Sequence, residues 1–164
     1  MGLAWKDDFP PLLPMGFHPM TLAQLRVLCV DRFPNSITRA SVMDGLEKVV
    51  LHLNKSGIQM EVWVDGSFTT EKLNPEDSDI AIRLSGPDFD VASVPAKSPI
   101  VWAAKVDLKP SHKCDSYAFS EYPEGHVLYD HGQWRRAYWL NKFGHDRSER
   151  PKGLAVIRLP RLLP

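Results

Sequence analysis

From Val62 to Ile82 the chain reads Val-Trp-Val-Asp-Gly-Ser-Phe-Thr-Thr-Glu-Lys-Leu-Asn-Pro-Glu-Asp-Ser-Asp-Ile-Ala-Ile. An apolar strand runs into a Gly-Ser turn, and two alternating carboxylates then open a second strand. Gly66 permits a sharp turn of the backbone, and Ser67 offers a hydroxyl and an N–H at the start of an expected short helix, where an anion is favoured. Asp77 and Asp79 are two apart on the expected strand, so period-2 alternation sends both to one face and Ser78 to the other. Paired carboxylates repel unless a cation lies between them, and oxygen-only ligands suit magnesium, with manganese as a substitute. A turn that faces phosphate beside acids that hold a divalent ion is what a metal-complexed triphosphate requires.

An Asn-Pro-Glu-Asp-Ser-Asp run is also ordinary surface-turn composition. The spacing and the two flanking apolar strands separate the two readings. Gly66, Ser67, Asp77, Asp79 and Ile80, with nine residues between the turn and the first acid, resemble the motif of the DNA polymerase β-like nucleotidyltransferase superfamily. Ser78 departs from it, because an apolar residue is usual there, and a less buried strand face is expected. The resemblance implies a third carboxylate on a later strand. Lys113-Cys114-Asp115-Ser116-Tyr117-Ala118-Phe119 supplies the candidate, since Asp115 shares parity with Tyr117 and Phe119 in a run of strand formers. Glu121 and Asp107 are its competitors.

The 164 residues, 43% apolar, suffice for one domain over 1–164 with a real core. Lys plus Arg and Asp plus Glu are 20 each, so no global field recruits nucleic acid or an acidic membrane. Cys29 and Cys114 cannot by themselves build a disulfide framework or a zinc site, and His18, His126, His131 and His145 show no ligand spacing. With no signal peptide and no long apolar span, a cytoplasmic protein with free thiols is expected.

Residues 1–20 form a proline-rich arm, in which Leu12, Leu13 and Phe17 suggest a strap packed on the body. Thr21 caps a helix to about Phe33. A second helix starts at Ser36 or Thr38, with Ile37, Met43, Leu46, Val50 and Leu53 at helical spacing, and closes at Lys55-Ser56-Gly57. Strands are expected at 58–64, 77–84, 114–119 and 153–159. Helices are expected near 100–108 and 133–143, with a loop over 85–99. The alternation predicts an α/β (α+β) fold, a mixed sheet with helices packed mainly on one face.

Gly144 to Gly153 carries Arg147, Arg150 and Lys152. With the Leu13-Pro14-x-Gly16-x-His18 arm and the Asp65-Gly66-Ser67-Phe68 turn, it is similar to small bacterial and phage nucleotidyltransferase-like proteins that end in Pro-Lys-Gly and a strand. The resemblance implies transfer of a nucleoside monophosphate from a magnesium-bound NTP, ATP being the expected one, to a hydroxyl of a protein or RNA, with a toxin–antitoxin or defence context. Asp77, Asp79 and Asp115 would hold metal and do the chemistry. Gly66, Ser67, Lys152 and Arg147 would meet the phosphates. His112 is a further candidate base, and the Trp134, Tyr138, Trp139 stripe suits core or interface packing. Two other readings stand beside this one: a catalytically silent module that binds a partner protein, and a nucleic-acid binder using Arg135, Arg136, Arg147, Arg150 and Lys152.

Overall fold

The strap comes first and ties the molecule together. In the computed structural model, which describes residues 8–161, strand β1 (Gly16–Pro19) pairs in parallel with β5 (Gly153–Leu159) at the edge of a five-stranded sheet. Just before it the chain crosses the Gly-Ser turn, with Leu12 N donating to Thr69 O and Glu71 N to Pro10 O. Leu12 and Leu13 pack against the core. Residues 1–7 of the expected arm lie outside the described residues.

The sheet order is β1-β5-β2-β3-β4. The central strand β2 (Met60–Asp65) is antiparallel to both neighbours, β5 and β3 (Ser78–Ser85), and β3 pairs in parallel with β4 (Cys114–Glu121). The sheet is therefore mixed, as the alternating pattern predicts. Parallel strands need a long crossover, and three helices supply it: α3 (Gly86–Val91), α4 (Val94–Lys105) and α5 (Lys109–His112).

Most helical packing falls on one face. Helix α1 (Leu22–Arg26), a π-helical turn (Val27–Asp31), α2 (Arg39–Asn54) and α4 cover Val62, Val64, Ile80, Ile82, Ala155 and Ile157. Among the described residues α6 (Tyr129–Phe143) is the one helix that covers the other face, where Trp139 and Phe143 seat on Trp63, Ala81, Phe119 and Val156. That single helix leaves the C-terminal edge of β2 and the start of β3 and β4 open, and the acids lie there.

Several local expectations change. Most of the expected loop over 85–99 is helical, in α3 and the start of α4, because Ser85 and Ser93 cap the N–H groups of Asp88 and Ala96 and each helix carries a proline in its first turn. Ile37 precedes α2 and is 87% exposed, whereas Met43, Leu46, Val50 and Leu53 are core. The expected helix at Ser67 is a 3-10 turn, Ser67–Thr69. Ser78 does not loosen its strand face: it is fully buried opposite Cys114, also fully buried. No helix among the described residues is long and apolar enough to cross a membrane.

Candidate active site

Strand register gathers the acids. Asp65 pairs with Asp79, and Asp79 pairs with Asp115, so three carboxylates form a row across β2, β3 and β4. Residues directly opposite in neighbouring strands share a face. Asp77, two before Asp79, sits just ahead of β3 with its carboxylate near that row. The fold thus brings Asp77, Asp79 and Asp115 together, and Asp65 joins them.

Gly66 is required here twice over. Its φ of +83° lies in the left-handed region, and a Cβ on it would overlap the Asp79 carboxylate. The turn and the acid are therefore built into one another. Beneath the turn lies Arg39, fully buried, whose guanidinium donates to the carbonyls of Cys29, Phe68, Thr70 and Lys72 and stacks 3.6 Å from the centre of the Phe33 ring. All five of its donors are used, so the loop from Phe68 to Lys72 is held from below.

A cleft of about 690 Å³ opens over the row. Gly66, Ser67, Asp77, Asp79, Lys152 and Arg147 line it; Asp115 does not, and touches it through Lys109 and Tyr117, which do. That volume is ordinary for a small-molecule site. Tyr117 and Tyr138 form part of one wall, and the Tyr117 hydroxyl donates to Asp115 Oδ2 at 3.1 Å.

Two cations already sit among the acids. Lys152 Nζ is 2.6 Å from Asp65 Oδ1, and both side chains are buried. The contact is a close, buried ion pair. Lys152 therefore neutralises Asp65 and is not a free phosphate ligand. Lys109, from the first turn of α5, places Nζ 3.2 Å from both Asp77 Oδ2 and Asp115 Oδ2. Arg147 is exposed at the rim.

Burial dominates the titration of the inner acids. Asp65 is pushed up to about 7 by burial, against the pull of Lys152. Asp79 is pushed up to about 6 by burial and then by the Asp77 and Asp115 charges, with Lys109 and Lys152 opposing. The Asp115 and Asp77 carboxylates hold the Lys109 ammonium well above the ordinary lysine range.

Other candidates fall elsewhere. His112 directs Nδ1 to Ser111 Oγ and its ring to Trp102, away from the cleft. Glu121 pairs with Arg83 and Arg136 at the far end of β4, and Asp107 caps the N–H of Lys109. Trp139 is core, but Trp134 is 61% exposed and stacks on Tyr138. Of the five proposed nucleic-acid-contacting cations, Arg136, Arg150 and Lys152 are engaged with Glu121, Asp146 and Asp65. Asp65 and Lys109 are the residues sequence reasoning missed. Asp65 directly precedes the Gly-Ser turn and shares parity with Trp63. Lys109 had no local signal beyond an adjacent proline.

The donor set is oxygen-only, which fits a hard divalent cation. The position between Asp77 and Asp115 is filled by an ammonium, and among the described residues no three His, Cys, Asp or Glu side chains close on one point as arranged. The donor chemistry fits such an ion, and the Lys109 ammonium stands between two of the donors. In comparisons with known proteins, residues 4–158 match a family model described as a family of unknown function, DUF6932. No curated protein and no solved structure matches the chain.

Proposed function

The chain belongs to this family of unknown function, and we propose that it is a metal-dependent nucleotidyltransferase moving a nucleoside monophosphate from an NTP, with ATP the expected donor, to an acceptor hydroxyl. The observation that carries the reading is the residue-for-residue pairing of Asp79 with Asp115, with Asp77 beside them and the Gly66 turn closed against Asp79. Asp77, Asp79 and Asp115 are the residues to hold magnesium, or manganese in its place. Bound there, the ion would neutralise phosphate charge and polarise the α-phosphate.

The chain's own groups do the rest. Ser67 and the turn receive phosphate oxygens, and Arg147 at the rim offsets their charge. The rigid Arg39 anchor keeps the turn in place, so little is reorganised when phosphate arrives. Asp115, oriented by the Tyr117 hydroxyl, accepts the proton of the acceptor hydroxyl. That oxygen then bonds to the α-phosphorus as the bond to pyrophosphate breaks in line. The acceptor is a protein or RNA in this reading, with a toxin–antitoxin or defence setting. Both cysteines are buried thiols, which agrees with cytoplasmic chemistry.

A second reading is favoured by Lys109: a lysine seated in the cation position suits a catalytically silent module that keeps the fold to bind a partner protein. Thermal unfolding with magnesium and each of the four ribonucleoside triphosphates separates the two, on wild type and on Asp77→Asn/Asp79→Asn. Ligand at 100 times its dissociation constant stabilises by about 2.7 kcal/mol. A magnesium-dependent shift lost in the double variant is the expected result. No shift with any triphosphate sinks the enzyme reading.

A further inference from the structure

Lys109 occupies an unusual place for a lysine. Its ammonium is equidistant, at 3.2 Å, from carboxylates that reach it from two different segments, Asp77 before β3 and Asp115 in β4. Asp79, two residues after Asp77 and paired in register with Asp115, adds a third carboxylate beside them. An ammonium is a compact cation with no directional constraint, so it can neutralise a pair of carboxylates much as a metal ion does. The residue also has somewhere to go. Its side chain is 48% exposed on a four-residue helix, and it lines the same cleft as Gly66 and Ser67, where the proposed phosphates would arrive.

We infer that Lys109 is a built-in competitor of the divalent ion: it holds the acids in the free protein, and the ion takes its place only when an anionic triphosphate draws the lysine onto its own phosphates. The inference rests on the nucleotidyltransferase reading for its second half alone. Metal without nucleotide must displace a cation that gains no new partner, and so binds weakly. Metal with triphosphate displaces a lysine that exchanges two carboxylates for phosphate oxygens. The site thereby selects the metal–triphosphate complex over either component. Among the described residues Lys109 is the cation paired with Asp77 and Asp115, whereas Lys152 is committed to buried Asp65 and Lys72, Lys142 and Arg147 line the cleft.

The test measures binding of Mn²⁺ alone, by electron paramagnetic resonance of the free ion, to wild type, Lys109→Met and the control Lys142→Met. Binding of ATP with Mn²⁺ is measured in parallel. The expected result is Mn²⁺ bound at least ten-fold more tightly by Lys109→Met, with the control within two-fold of wild type, and the Mn²⁺–ATP complex bound more weakly by Lys109→Met. Unchanged or weaker Mn²⁺ binding in Lys109→Met overturns the competition. Equal tightening in Lys142→Met also overturns it, since the effect would then be the general field of the cleft. If Mn²⁺ tightens as expected while ATP changes nothing in any protein, the competition by Lys109 stands and the nucleotidyltransferase reading falls.

Discussion

Lys152 holds its ammonium 2.6 Å from Asp65 Oδ1 at a depth where the two side chains are only 9% and 6% exposed. Removing one partner of a buried pair leaves the other charge stranded, at a cost of about 3–5 kcal/mol. Lys152→Met should therefore be destabilised by that order, and more at pH 8 than at pH 6, because the stranded Asp65 can escape by binding a proton only at the lower pH. Urea unfolding at both values checks it. Equal losses at the two pH values would mean that Asp65 is not the group responsible.

The raised proton affinity of Asp79 has the opposite sign from that of an ordinary surface carboxylate. Its folded value, about 6, lies above the unfolded 3.8, so the folded state binds the proton more tightly. Its ionised form is disfavoured on folding, and stability from this group falls as pH rises between about 4 and 6. Asp79→Asn should then be more stable than wild type at pH 8 by about 1–3 kcal/mol, with the gain fading towards pH 4. A destabilised variant at pH 8 would show that Asp79 contributes structurally as an ion.

Gly66→Ala meets two obstacles at once: a φ of +83° and the Asp79 carboxylate in the volume of the new methyl group. Strain of this kind is of order 1–3 kcal/mol. The variant should lose about that much stability and, since Asp79 must shift, should also lose any stabilisation by magnesium and nucleotide. Wild-type stability in denaturant would contradict the geometry of the turn.

Arg39→Lys keeps the charge and removes the planar fork that reaches four carbonyls. We expect a loss of about 2–4 kcal/mol, a buried lysine having three donors where five are needed. Amide hydrogen exchange should accelerate in residues 66–72 more than in β2. Uniform acceleration would assign Arg39 to the global core and not to this loop.

What was legible locally was what the chain encodes locally. Gly66, Ser67, Asp77 and Asp79 announce themselves because turn chemistry and strand alternation act over a few residues, and the α+β pattern follows from the alternation of apolar periods. Asp65 was hidden because its significance comes from register with Asp79 across an antiparallel pair. Lys109 was hidden because the β3–β4 crossover, not sequence neighbourhood, returns it to the acids. The stretch from 85 to 99 misled because Ser-x-Pro reads as loop composition, although serine caps with proline in the first turn are also how helices begin. Ile37 fitted a helical period by coincidence, one residue before the helix's cap at Thr38.

The position of β5 also bears on when the cleft comes into being. Central β2 is flanked by β3 on one side and by β5 on the other, and Gly153 on β5 pairs with Gly16 on the strap. Contacts this distant in sequence form slowly, since the loop entropy comes before the reward. In the chain, β2, β3 and β4, which carry the acid row, all precede β5. Lys152 and β5 emerge after all of them, so until then Asp65 lacks its counter-ion and one edge of β2 stays open. An acid row formed before β5 would lack Lys152, and β2 would then present an unpaired edge to other chains.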